Sequence, residues 1–84
     1  MKLSWSLIAW NDYLYWIETD RKKVERINIL IKETLRDPKE GIGNPEPLRH
    51  ELRGFWSRRI DKEHRLVYSS SNEVLLIVAC RYYY

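Results

Sequence analysis

The sequence predicts an α+β fold of two layers, a helical hairpin packed on a mainly antiparallel sheet in the order β-α-α-β-β-β-β. Three observations lead there. Apolar residues recur at helical spacing from Leu7 to Leu35 and at a period near two from about His50 onward. Between these halves, the segment Pro38 to Pro47 holds all three prolines and two of the three glycines, so it is a loop and not a regular element. The chain has 84 residues, room for one domain (1–84) but not two, and 44% of them are hydrophobic, four tryptophans included, which supports a core without staples.

Each element has its own signal. Lys2 to Trp5 alternates apolar and polar as a short strand does, and Ser6 then offers a helix cap before Leu7, Trp10, Leu14 and Ile17. Asp20 is a second cap, followed by the stripe Val24, Ile27, Ile31 and Leu35, and Asp37-Pro38 ends that helix because the residue before a proline is pushed out of helical geometry. Past the proline-rich loop come a short strand near His50 to Leu52, a turn at Arg53-Gly54, a strand from Phe55 to Asp61, another from Arg65 to Ser69, a turn at Ser71-Asn72 and a last strand from Val74 to Tyr82. The apolar density of Val74 to Cys80 marks an interior strand covered on at least one face, with the helical hairpin as its cover.

Composition narrows the function. Cys80 is the only cysteine, so neither an intrachain disulfide nor a zinc site of paired thiolates can form, and a reducing cytoplasm fits best. No window approaches the roughly twenty apolar residues of a membrane span, and the amino terminus lacks a signal-peptide pattern. The net charge of +3 resides between Arg49 and Arg65, where six arginines and lysines face three acids (6 − 3 = +3). That patch suits a polyanion, the bland alternative being a solvated strand face.

Cleaving RNA without a metal or other cofactor needs a base for the 2′-hydroxyl proton, cations for the phosphorane charge and an acid for the leaving 5′-oxygen. Glu46, held between two prolines, is a candidate base; Arg65, with Arg59 and Arg49, supplies cations; Tyr83 or Tyr84 offers a phenolic acid. Trp56 sits among arginines and can stack on a base. Trp5, Trp10 and Trp16 read as packing or subunit contacts, His50 and His64 as structural or hydrogen-bonding residues without ligand-like spacing, and Cys80 as a small buried hydrophobe.

The stretches Trp10-Asn11-Asp12-Tyr13-Leu14-Tyr15-Trp16, Gly43-Asn44-Pro45-Glu46-Pro47-Leu48, Gly54-Phe55-Trp56-Ser57-Arg58-Arg59-Ile60 and Glu63-His64-Arg65-Leu66-Val67-Tyr68 resemble the YoeB family of toxins, in order and over the full length. The resemblance implies a RelE-like fold, entry into the ribosomal A site, cleavage of the bound messenger RNA, silencing by a YefM-type antitoxin, and a homodimer. It implies Glu46 as general base, Arg65 as phosphate-stabilising arginine, Arg59 as a second phosphate contact and Tyr84 as the terminal tyrosine. Arg49 stands where the family usually has lysine, keeping the charge but not the geometry.

Position 83 departs from the pattern: the family usually ends in histidine then tyrosine, with the histidine as general acid, whereas this chain ends Arg81-Tyr82-Tyr83-Tyr84. An ordinary phenol titrates near ~10 and an imidazole near ~6.5, so slower turnover or an altered pH profile is expected. Two rivals remain open. One is a ParE-like toxin that shares the fold and binds gyrase; the other is a module that binds RNA or an antitoxin without turnover.

Overall fold

The computed structural model describes residues 1–82. Its elements are β1 (Lys2–Trp5), α1 (Leu7–Thr19), α2 (Arg21–Arg36), β2 (Glu46–Pro47), β3 (Trp56–Arg59), β4 (Arg65–Ser70) and β5 (Val74–Ala79). The strands form one sheet in the order β1-β5-β4-β3-β2, with β1 parallel to β5 and every other pair antiparallel. Two helices on one face of a five-stranded mixed sheet are the α+β arrangement expected from the sequence.

Caps fasten the hairpin to the sheet. The Ser6 hydroxyl accepts from the Ala9 amide at 3.0 Å and donates to the Val78 carbonyl at 2.9 Å, so one side chain starts α1 and ties it to β5. Asp20 serves both helices: its amide donates to the Trp16 carbonyl at 2.8 Å, and its carboxylate accepts from the Lys22 amide at 3.1 Å. The core joins Ala9 and Trp16 of α1 and Ile27, Leu30 and Ile31 of α2 to Leu66, Tyr68, Leu75 and Ile77 of the sheet.

Several expectations need correction. The strand expected near His50 to Leu52 is a 3₁₀ turn, entered through His50 with φ 59°, and the extra strand is β2, inside the segment read as loop. Prolines are tolerated there because β2 is the sheet edge, where a missing amide breaks no ladder. The strand expected to reach Asp61 stops at Arg59, and the last strand stops at Ala79 instead of Tyr82. The α1 stripe is also turned around. Leu7, Trp10, Leu14 and Ile17 lie on the exposed side, while Ala9 and Trp16 face the core, because α1 is apolar around most of its circumference.

Candidate active site

Strand register builds the site. Glu46 lies opposite Ser57 across β2 and β3, and Arg59 lies opposite Arg65 across β3 and β4. Directly opposed residues share a face, and side chains alternate along a strand, so Glu46, Ser57, Arg59 and Arg65 all project from the face away from the helices. Arg65 Nη1 donates to Glu46 Oε1 at 2.6 Å and to Ser57 Oγ at 3.0 Å. The arginine side chain is 18% exposed and the carboxylate 46%, so the cation is seated on the sheet while the acid reaches solvent. Ser57 is fully buried beneath this pair; it belongs to a motif quoted above, yet nothing in sequence spacing marks it as a partner of Arg65.

The loop before Glu46 is pinned from below. Arg58, fully buried on the helix side of β3, donates to the carbonyls of Asp37, Glu40 (3.0 Å) and Ile42 (2.9 Å), and the Tyr68 hydroxyl donates to Pro38 O at 2.6 Å. Burial pushes the Tyr68 phenol above its ordinary value, against the neighbouring Arg58 guanidinium. Gly43 then passes so close between α2 and β3 that a Cβ would stand 2.8 Å from Leu30 Cδ2 and 3.1 Å from Arg58 Cβ, at a φ of 84° that disfavours any side chain. Its carbonyl accepts from the Arg59 amide at 2.7 Å.

Arg59 is exposed and opposite Arg65, and Arg49 is exposed just past β2. Two arginines directly opposite each other repel unless an anion sits between or beside them, and Glu46 supplies one such charge. Arg58, counted in the basic window, is spent on loop carbonyls and adds nothing to that surface. The register does not bring Trp56 to this group: it pairs with Pro47 and Tyr68 and packs against the core from the helix side. Tyr83 and Tyr84 lie outside the described residues. Among the described residues no group of three His, Cys, Asp or Glu side chains converges as a metal site would require.

The segment leading to the carboxyl terminus is held at several points. Cys80 N donates to Asp12 Oδ2 at 3.0 Å, and the Trp16 indole donates to Cys80 O at 2.8 Å. The Cys80 thiol is pushed up to about 12 by burial, with the Asp12 charge adding to it, so it is an inert packing group. The guanidinium of Arg81 stacks 3.6 Å from the Tyr15 ring centroid. The Tyr82 amide donates to His64 Nδ1 at 2.7 Å, and its carbonyl accepts from the Arg65 amide at 2.9 Å.

Comparison with known proteins adds an independent line. Residues 5–84 match the family model described as YoeB-like toxin of bacterial type II toxin-antitoxin system. Toxin YoeB of Escherichia coli K12 is 63% identical over 84 residues, covering 100% of both chains. A YoeB/ParE toxin structure from Agrobacterium tumefaciens superposes with a TM-score of 0.96 at 48% identity, covering 100% of both chains. Two structures from Staphylococcus aureus, a YoeB dimer and a heterotetrameric YoeB-YefM toxin-antitoxin complex, give TM-scores of 0.93 and 0.92, each at 42% identity over 100% of this chain and 98% of theirs.

Proposed function

The chain belongs to the YoeB-like toxin family of bacterial type II toxin-antitoxin systems, and from that premise we propose that it is a ribosome-dependent endoribonuclease cutting messenger RNA in the A site. The observation that carries the reading is the 2.6 Å pair between Glu46 and Arg65, with Arg59 opposite on the same face. In the proposed reaction the Glu46 carboxylate takes the 2′-hydroxyl proton and the 2′-oxygen attacks the adjacent phosphorus. The P–O5′ bond breaks, leaving a 2′,3′-cyclic phosphate. Arg65 leaves its carboxylate partner to hold the phosphorane oxygens, Arg59 and Arg49 hold the RNA backbone, and Tyr83 or Tyr84 protonates the departing 5′-oxygen. No metal or cofactor is assigned a role.

The Tyr82 carbonyl accepts from the Arg65 amide at 2.9 Å, so the last described residue before the two proposed donors stands beside the proposed phosphate-binding arginine. A chain of 84 residues can surround little of an RNA strand, so RNA needs an outside template to hold the scissile phosphate in line, and the decoding site is proposed to supply one. One message incubated with the protein alone and with programmed ribosomes tests this, read by primer extension. Cleavage on ribosomes at least ~100-fold faster is expected; equal rates would remove the proposal, and a change in DNA supercoiling without cleavage would favour the gyrase-binding rival.

For partners, we propose a YefM-type antitoxin covering the basic face and a second copy of this chain against the outer side of α1. The Staphylococcus aureus complex and dimer support these as family assemblies. Among the described residues no helix is long and apolar enough to cross a membrane.

A further inference from the structure

We propose that His64 is a positioning residue for the cleavage reaction: its imidazole fixes Tyr82, which stands against the Arg65 amide and directly precedes, in sequence, the tyrosines read above as proton donors. The proposal rests on that reading. His64 and Arg65 are consecutive, and between them they engage both backbone polar groups of Tyr82. His64 Nδ1 accepts the Tyr82 amide at 2.7 Å, and the Arg65 amide donates to the Tyr82 carbonyl at 2.9 Å. The start of the strand that carries Arg65 therefore also sets where Tyr82 stands.

Tyr82 has φ 62°, a left-handed conformation that a tyrosine does not hold without outside support. His64 is able to give that support because it is itself immobilised. It is buried, its ring meets the edge of Trp16 at 4.8 Å, and its amide donates to Asp61 Oδ1 at 2.8 Å. Asp61 in turn pairs with Lys23 of α2 at 2.9 Å. Burial works against the charged Asp61 carboxylate, but the Lys23 ammonium and the Glu63 and His64 amides outweigh it and hold its pKa below the ordinary value. An imidazole that accepts at Nδ1 carries its proton at Nε2, so the bond to Tyr82 specifies a tautomer as well as a ring position.

The test replaces His64 in the full-length protein with residues that keep or lose an acceptor at the Nδ1 position. In His64→Asn the amide oxygen falls where Nδ1 was; His64→Leu fills the space without an acceptor, and His64→Gln carries its polar atoms too far out. Single-turnover cleavage of a ribosome-bound message is measured at saturating and subsaturating ribosomes, with melting temperature and Tyr82 amide exchange measured on the same samples. Leu and Gln should each lower the maximal rate about 10- to 100-fold, the scale of an ångström-sized misplacement. The ribosome concentration giving half-maximal rate should move less than about 3-fold, since the RNA-holding arginines are untouched. Asn should stay within about 3-fold of the parent, and Tyr82 exchange should accelerate in Leu and Gln but not in Asn.

If whichever of Leu and Gln folds keeps the parent rate, or if Asn falls as far as they do, the positioning role is overturned. The double variant Tyr83→Phe, Tyr84→Phe separates this from failure of the underlying reading. If the double variant is inactive while His64→Leu is not, only the positioning role fails. If the double variant cleaves at the parent rate, the donor assignment fails and the positioning role with it.

Discussion

At the scale of single residues, the Glu46–Arg65 pair is too exposed to be a stability device. Ion pairs of this exposure contribute about 0.2–1 kcal/mol, so Glu46→Gln should leave the melting temperature nearly unchanged. Its activity should nevertheless fall on the order of 10²- to 10⁴-fold if Glu46 is the base. Arg65→Ala should cost on the order of 10²- to 10³-fold, as the loss of a donor to a developing oxyanion does. Tyr83→His should raise single-turnover cleavage near neutral pH, whereas Tyr83→Phe should lower it only if that hydroxyl is the acid. A parent-like Tyr83→Phe beside an inactive Tyr84→Phe would move the donor role to Tyr84, and a parent-like Glu46→Gln would end the base assignment. Glu46 and Arg65 could be picked out from the sequence because the motifs around them carry a chemical expectation. Ser57 does not stand out, and Trp56 reads as a companion of the arginines, because the face a strand residue takes depends on register. Trp56 and Ser57 are neighbours in sequence and opposite in space.

At the scale of elements, the segment from Pro38 to Pro47 is held by the Tyr68 hydroxyl, by the Arg59 amide and, at the most points, by one buried cation. Arg58 satisfies the carbonyls of Asp37, Glu40 and Ile42, which follow the end of α2, where carbonyls lack helical partners and the helix dipole favours positive charge. Arg58→Met keeps the bulk and removes every donor, so several buried acceptors lose their partners together. It should cost about 3 kcal/mol or more in a denaturant titration. A loss under about 1 kcal/mol would mean that the loop does not depend on this residue. Cleavage should fall as well, because Glu46 begins the edge strand at the loop's end. None of this was visible in composition, where Arg58 counts toward a basic surface that it never joins. The exchange of β2 for the His50–Leu52 turn has a similar cause. Proline argues locally against a strand at Glu46–Pro47, which only pairing with β3 at the sheet edge allows, while the left-handed His50 breaks the strand expected at His50 to Leu52. The α2 helix is more legible: its one-sided pattern puts Ile27 and Ile31 inside, as observed, whereas Leu35 lies outside and the buried Leu30 falls beside the expected stripe.

At the scale of the whole molecule, the two faces offer different chemistry to different partners. The outer side of α1 exposes Leu7 (74%), Ile8 (67%) and Ile17 (49%) together with Trp10 and Leu14, a larger apolar surface than a lone helix normally leaves in water. The arginines lie on the face that the helices leave open. If the proposed dimer forms through this side of α1, a Leu7→Glu, Ile17→Glu variant should raise its Kd about 30-fold or more in sedimentation, as loss of a central apolar contact does. Capture of a YefM-type antitoxin should persist in that variant and weaken with added salt. A dimer unmoved by the double change, or an antitoxin affinity indifferent to ionic strength, would place these surfaces elsewhere. The sequence showed an apolar first helix but not which side of it was surplus, since that depends on how α1 rests on β5. The seating of β1 reaches further, into the order in which the chain assembles. Among the described residues β1 pairs only with β5, in parallel register from Lys2 opposite Val74 to Trp5 opposite Ile77, and the start of α1 is fastened to Val78. Contacts between the two extremes of a chain are the slowest to form. During synthesis the first strand must wait, unpaired, until the last one has been made. A chain interrupted before β5 lacks the strand that joins its amino-terminal half to the sheet, so an unfinished copy of this poison is not a weaker poison but an unfolded chain.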